Sequence, residues 1–178
     1  YDVSISCIIM PNLFKPELEE TKSVTDDKTN SETNDNEKSE EVSNDNLKIE
    51  YPDVEKWDDM NLLPEILRGI YSYGYEIPSP IQKKAIQPML DGRDVIAQAQ
   101  SGTGKTATFT IGSLMSVDKS NKNVQIICLS PTRELSTQIY TVFKGLSEFM
   151  KDLVIETFVG GIPVNENIQV IKHKKPHI

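Results

Sequence analysis

Long apolar runs, paired cysteines and clustered histidines are all missing from this 178-residue sequence. A bilayer span needs about 20 consecutive apolar residues. The apolar stretch near the start, Val3-Ser4-Ile5-Ser6-Cys7-Ile8-Ile9-Met10, falls well below that. It also has no basic region before it and no small-residue cleavage site after it, so neither a membrane partner nor a targeting leader is expected. The two cysteines, Cys7 and Cys128, fall in a tail and in an apolar run that reads as a buried strand. That excludes a disulfide framework and suits a reducing compartment, the cytoplasm or the nucleus including the nucleolus. His173 and His177 are four residues apart, but Pro176 interrupts the helix that would align them, so no metal site is expected there. Aromatic residues interleaved with basic ones are absent too, which argues against a base-stacking RNA module.

Charge divides the chain. Residues 15–59 hold 16 acids against 6 bases, whereas residues 60–178 hold 10 acids against 13 bases. From Thr21 to Asn46 the only aliphatic residues are Val24 and Val42, and no aromatic occurs between Phe14 and Tyr51. Such a stretch buries too little apolar surface to offset the entropy of ordering. Residues 1–50 are therefore expected to be a disordered, acidic, low-complexity tail. Its field repels polyanions, so nucleic acid would be held elsewhere. Residues 51–178 are expected to form one folded domain.

That second part contains Ala99-Gln100-Ser101-Gly102-Thr103-Gly104-Lys105-Thr106, which has the form of a phosphate-binding loop with Ala99 in place of the usual first glycine. The apolar run Asp94–Ala97 precedes it as a strand, and 107–115 follows it as a helix, the context such a loop requires. Ser101, Gly102, Thr103 and Gly104 are small enough for their N–H groups to turn around a polyphosphate at the positive end of that helix. Lys105 would reach the β- and γ-phosphates, and the Thr106 hydroxyl would hold Mg²⁺.

The rest of the domain alternates helices and strands. Apolar residues at 62, 63, 66, 67 and 70 predict a helix over 62–71. Ser79 before Pro80 predicts a helix over 80–90. Runs 124–129 and 153–159 read as strands, with a helix over 133–150 between them. Alternation implies a parallel sheet with helices on both faces, and such sheets place ligands at the carboxyl ends of their strands. The phosphate loop, Pro131-Thr132-Arg133-Glu134-Leu135 and Gly160-Gly161 each follow a strand and should share one edge.

The segments around that edge suggest ligands. A glutamine amide complements the N6 and N7 edge of adenine, so Gln82 is the natural base reader and the nucleotide expected is ATP. Tyr75 and Trp57 can offer faces to a purine; ordinary core packing is the alternative for both. Thr132 and Arg133, at a helix start, suit a phosphate oxygen, and Gly160 and Gly161 leave room for a nucleic-acid backbone. The alternatives are a helix cap with a surface arginine, and a plain turn.

Gly74-Tyr75-Glu76-Ile77-Pro78-Ser79-Pro80-Ile81-Gln82, the phosphate loop, Pro131-Thr132-Arg133-Glu134-Leu135 and Gly160-Gly161 stand in an order that resembles the DEAD-box RNA helicases. They look like that family's Q motif, motif I, motif Ia and GG motif, and Trp57 stands where the family places an isolated aromatic. Within the family, 69–75 and 95–100 look closest to the initiation factor 4A group. The resemblance covers residues 57–178. It implies a RecA-like P-loop domain, an ATP-dependent RNA helicase activity in the intact protein, and ATP with Mg²⁺ as cofactors. Trp57, Tyr75, Pro78 and Gln82 would be near the base, and Pro131, Thr132, Arg133, Gly160 and Gly161 on an RNA backbone read without sequence preference. Helicase-activating proteins are implied partners, and a monomer is expected. The sequence departs from the family in having no Asp-Glu-Ala-Asp, no Ser-Ala-Thr and no second RecA-like domain. It is therefore expected to be an N-terminal fragment with an incomplete first domain, nearly inactive in hydrolysis. The alternative is an inert truncated product that binds nucleotide, RNA or partners. A small single-domain nucleotide kinase is disfavoured, because no arginine-rich lid follows the loop.

Overall fold

The computed structural model of the chain describes residues 51–178. The expected acidic tail and the apolar stretch Val3–Met10 lie outside the described residues. Within them, a 3₁₀ turn at Trp57–Met60 precedes α1 (Pro64–Ser72), α2 (Pro80–Leu90), α3 (Lys105–Met115), α4 (Arg133–Leu146) and α5 (Val164–Lys174). No helix among the described residues is long and apolar enough to cross a membrane.

Local chemistry sets these boundaries. α2 starts where the sequence predicts: Ser79 is extended, Pro80 opens the helix, and the Ser79 N–H donates to Gln82 Oε1 at 2.6 Å. α4 starts at Arg133 because Thr132 Oγ1 accepts the Leu135 N–H at 3.2 Å. It ends at Leu146, four residues short of the expected Met150.

α3 is the centre of the domain. Its residues Ala107 to Leu114 are all buried, and it packs on α2, α4 and α1. Trp57, Ile66, Ile70, Ile86, Ile111, Leu114, Phe143 and Leu146 complete the inner core. Helices α1 and α4 cross closely because residue 69 is glycine. A Cβ there would drive into the carbonyl oxygen of Leu146.

The expected strands differ most. Asp94–Ala97, 124–129 and 153–159 form no regular strand, and none occurs among the described residues. Side chains still alternate along them: Val95 and Ala97 are half-buried while Ile96 is fully exposed, and Ile126 is buried while Ile127 is exposed. A ladder needs repeated bonds between neighbouring chains, and here the bonds run through His177 and Ile178 only. His177 O accepts the N–H groups of Gln125 (2.8 Å) and Ile126 (3.1 Å); His177 N–H donates to Val154 O (2.8 Å), and Glu156 N–H donates to Ile178 O (3.1 Å). No backbone bond among the described residues joins Asp94–Ala97 to them. Ile96, Ile127, Leu129 and Phe158 along these segments are exposed.

Candidate functional site

The phosphate loop turns through two left-handed glycines, Gly102 (φ 79°) and Gly104 (φ 95°), a conformation that costs a side-chain-bearing residue energy. Gly104 hands the chain directly to α3, whose first N–H groups have no intrahelical acceptor and face the loop with the positive end of the helix dipole. Thr103 Oγ1 donates to Gln100 O at 2.7 Å and tightens the turn. Lys105 Nζ donates to Ala99 O and to Gln100 O, the latter at 2.7 Å. The ammonium is thus held across the loop, within reach of whatever the loop encloses. Thr106, half-buried, sits in the first turn of α3.

Gln82 joins α2 to this loop. It is 3% exposed, with Oε1 accepting from Ser79 N–H and Nε2 donating to Gly104 O at 3.4 Å. The second of these is long for a hydrogen bond and correspondingly weak. Beside it, Ser79 Oγ is buried without a hydrogen-bond partner. A Cβ on Gly104 would come within 2.6 Å of Gln82 Nε2 and 3.2 Å of Ser79 Oγ, so the space is closed to any residue but glycine. Ser79 was legible in the sequence only as a helix cap; its orphaned hydroxyl adds it to the site. Left-handed glycines, a helix N-terminus, a positioned lysine and a free hydroxyl together fit a nucleoside polyphosphate. Thr106 can add one oxygen ligand to a Mg²⁺ held mainly by those phosphates.

The base-side expectations fare differently. Trp57 has no exposed surface and lies in the core, so it presents no face to a purine; core packing is its role here. Its indole N–H has no hydrogen-bond partner in this setting. Tyr75 is half-buried, stacked obliquely on Tyr73 with ring centroids 5.3 Å apart, and burial pushes its phenol above the usual value. It keeps part of its ring open. Pro78 is buried.

A second cluster forms farther along the chain. Pro131, Thr132 and Arg133 are exposed at the start of α4, as are Gly160 and Gly161. The Arg133 guanidinium donates to Gly160 O, and a Cβ on Gly161 (φ 96°) would stand 3.0 Å from the same guanidinium. The two loops therefore meet, as the sequence predicts for a shared edge. Thr132 spends its hydroxyl as a helix cap, which was the alternative reading for it. The histidines are not paired. His173 is exposed beside Gln169, whereas His177 is fully buried with Nδ1 accepting the Val154 N–H at 3.0 Å. Among the described residues no group of three or more His, Cys, Asp or Glu could hold a metal ion.

A family model described as DEAD/DEAH box helicase matches residues 79–178. The chain is 45% identical over 133 residues to the ATP-dependent RNA helicase eIF4A of Scheffersomyces stipitis, covering 74% of this chain and 33% of that protein. Among solved structures it is similar to a DEAD box protein from the hyperthermophile Methanococcus jannaschii, with a TM-score of 0.62 and 34% identity over 65% of this chain and 32% of that one. It is also similar to S. cerevisiae Dbp5 bound to RNA and ADP BeF3, with a TM-score of 0.55 and 32% identity over 69% of this chain and 35% of the other. The chain spans about a third of the length of the curated relative it matches.

Proposed function

Because the chain belongs to the DEAD/DEAH box helicase family, we propose that it is the nucleotide- and RNA-contacting part of the first RecA-like domain of an RNA-dependent ATPase of the initiation factor 4A type. The observation that carries this is the bridge from Gln82 to Gly104, which ties a base-reading amide to the phosphate loop across 22 residues. ATP is seated with its phosphates on 101–106. Lys105 leaves the Ala99 and Gln100 carbonyls for the β- and γ-oxygens, and Thr106 holds Mg²⁺. Adenine replaces the weak Gln82–Gly104 bond and takes both ends of the amide, with Tyr75 and Pro78 alongside.

RNA is held through its backbone by Thr132, Arg133, Gly160 and Gly161, and Pro131 shapes the approach. One phosphate oxygen takes the place of Gly160 O on Arg133. The extended segments belong to a parallel sheet covered on both faces in the intact protein. The two bonds flanking Ile155, from Ile178 N–H to Val154 O and from Glu156 N–H to Ile178 O, have the parallel pattern and support this. In the intact protein, closure of two such domains on ATP and RNA separates strands locally, with helicase-activating proteins as partners, in the cytoplasm or nucleus. The residues of this chain bind and position; it has no Asp-Glu-Ala-Asp to handle metal and water.

Titration of the 178-residue chain with a fluorescent ATP analogue and Mg²⁺ tests the nucleotide half. Lys105→Ala should weaken binding at least tenfold, since a charge-assisted contact to phosphate contributes about 1.5–3 kcal/mol. Unchanged affinity would remove Lys105, and with it the proposed seat of the phosphates.

A further inference from the structure

Helix α1 ends in a turn that brings two tyrosines together. Tyr73 follows the helix, with its N–H donating to Gly69 O at 2.9 Å, and Gly74 then takes a left-handed backbone (φ 92°). That reversal lets the Tyr75 N–H reach back to Ile70 O at 3.1 Å, a bond that closes helix ends of this kind and fixes where residues 73–75 stand. The rings of Tyr73 and Tyr75 lie 5.3 Å apart at 51°, within the range of a favourable aromatic pair. Tyr73 has a firm seat of its own. It stands one turn after Gly69, the residue that meets Leu146 of α4, and so on the same side of α1. Opposite it on α4 is Gly145. A Cβ there would drive into Cε2 and Cδ2 of the Tyr73 ring, so the ring rests directly on the α4 backbone. The crossing thus uses one glycine on each helix: Gly69 admits the α4 backbone to α1, and Gly145 admits the Tyr73 ring to α4.

We propose that Tyr73 is a positioning residue for the nucleotide: seated on Gly145, it props the Tyr75 ring in the orientation that meets the base. The proposal rests on the reading that adenine lies alongside Tyr75. Tyr75 is half-buried, with one support from the core and one from Tyr73. The residues after it give no third support, since Glu76 and Ile77 are both exposed. Stacking on a purine needs the ring in one orientation, and a ring already locked by packing gives up less entropy when the base arrives. Without Tyr73 the Tyr75 ring turns into the vacated space, and the base must order it on binding. Tyr73 acts through Tyr75 and need not touch the nucleotide. Its effect is therefore confined to the base, because residues 101–106, which take the phosphates, make no contact with either tyrosine in the aromatic pair or its seat.

Displacement of a fluorescent ATP analogue from the 178-residue chain, by ATP and by inorganic tripolyphosphate with Mg²⁺, separates base from phosphates. Tyr75→Ala should weaken ATP binding about fivefold or more, the usual loss when a stacking ring is removed, and leave tripolyphosphate unchanged. Tyr73→Ala should weaken ATP binding about threefold or more, the scale of one aromatic pair, again sparing tripolyphosphate. Gly145→Ala, which displaces the Tyr73 ring without altering it, should do the same. Tyr73→Phe keeps the ring and should bind both ligands as the unaltered chain does. In a Tyr75→Ala background, Tyr73→Ala should cost nothing further, because no ring is left to prop. Wild-type ATP affinity in Tyr73→Ala, beside a loss in Tyr75→Ala, would overturn the proposal and leave the adenine reading standing. Equal losses for ATP and tripolyphosphate, the mark of damage to the whole domain, would overturn it too, as would additive losses in the double variant, the mark of a direct contact. Unchanged ATP affinity in Tyr75→Ala would overturn both the proposal and the adenine reading beneath it.

Discussion

Gly104→Ala is the most informative single change at the phosphate loop, because two separate costs meet there and can be measured apart. The first is conformational: a left-handed backbone at φ 95° costs an alanine about 1–2 kcal/mol. The second is steric. The new methyl would lie 2.6 Å from Gln82 Nε2 and 3.2 Å from Ser79 Oγ. Gln82 is 3% exposed and cannot swing into solvent, so it must give up its bonds to Gly104 O and Ser79 N–H, each contributing about 0.5–1.5 kcal/mol. The total is about 2–5 kcal/mol. Gly102→Ala isolates the first cost: φ is 79° there, but nothing lies within 4 Å of its added Cβ. Urea unfolding followed by far-UV circular dichroism should therefore place Gly104→Ala about 1–3 kcal/mol below Gly102→Ala. In a Gln82→Ala background only the 3.2 Å approach to Ser79 Oγ remains, and the gap should narrow to about 0.5 kcal/mol, the scatter of independent sites. Equal losses for the two glycines, or a gap that survives Gln82→Ala, would refute the contact between α2 and the loop as described.

Four further changes probe other parts of the domain. Gly69→Ala should destabilise by about 1–3 kcal/mol in the same assay, because backbone must move to admit the methyl; Gly145→Ala should cost less, since the obstacle there is the ring of half-exposed Tyr73, and the reverse ranking would overturn the α1–α4 crossing as the tight point. Thr132→Asp should keep stability near wild type, because aspartate caps as well as threonine, yet weaken binding of labelled oligo-U by placing a carboxylate beside the proposed phosphate; unchanged RNA affinity would remove Thr132 from the RNA surface. Arg133→Ala should lower RNA affinity and reduce the slope of log affinity against log salt by about one, and a slope equal to wild type would show that Arg133 serves Gly160 alone.

Much of the loop's geometry was readable from the sequence because its signals are local. Ser79-Pro80 announces a helix start, Gly102 and Gly104 announce a turn, and Gly-Lys-Thr supplies the lysine that lies across it. The meeting of Arg133 with Gly160 followed from each loop lying after an apolar run. Trp57 could not be assigned from sequence, because a buried indole and a stacking indole have the same neighbours in the chain. α5 was missed although Val164, Ile168 and Ile171 recur at helical spacing; further signals were Pro163 before the helix and Lys172, His173 and Lys174 in its last turn. The strands fell short for a different reason. A run such as 124–129 has the composition of a strand wherever it occurs, but it becomes one only when neighbours distant in sequence supply a ladder, and among the described residues only His177 bonds to this run.

The burial of Trp57 gives the chain a spectroscopic property. It is the only tryptophan in 178 residues, it has no exposed surface, and it sits in the core beside α1–α4. Its emission should be blue-shifted in the folded domain and should respond to loss of that core, while being silent to events confined to α5. Emission selected for tryptophan can thus follow core integrity on one channel while a labelled nucleotide or RNA reports the loops on another, in the same sample and without any engineered probe.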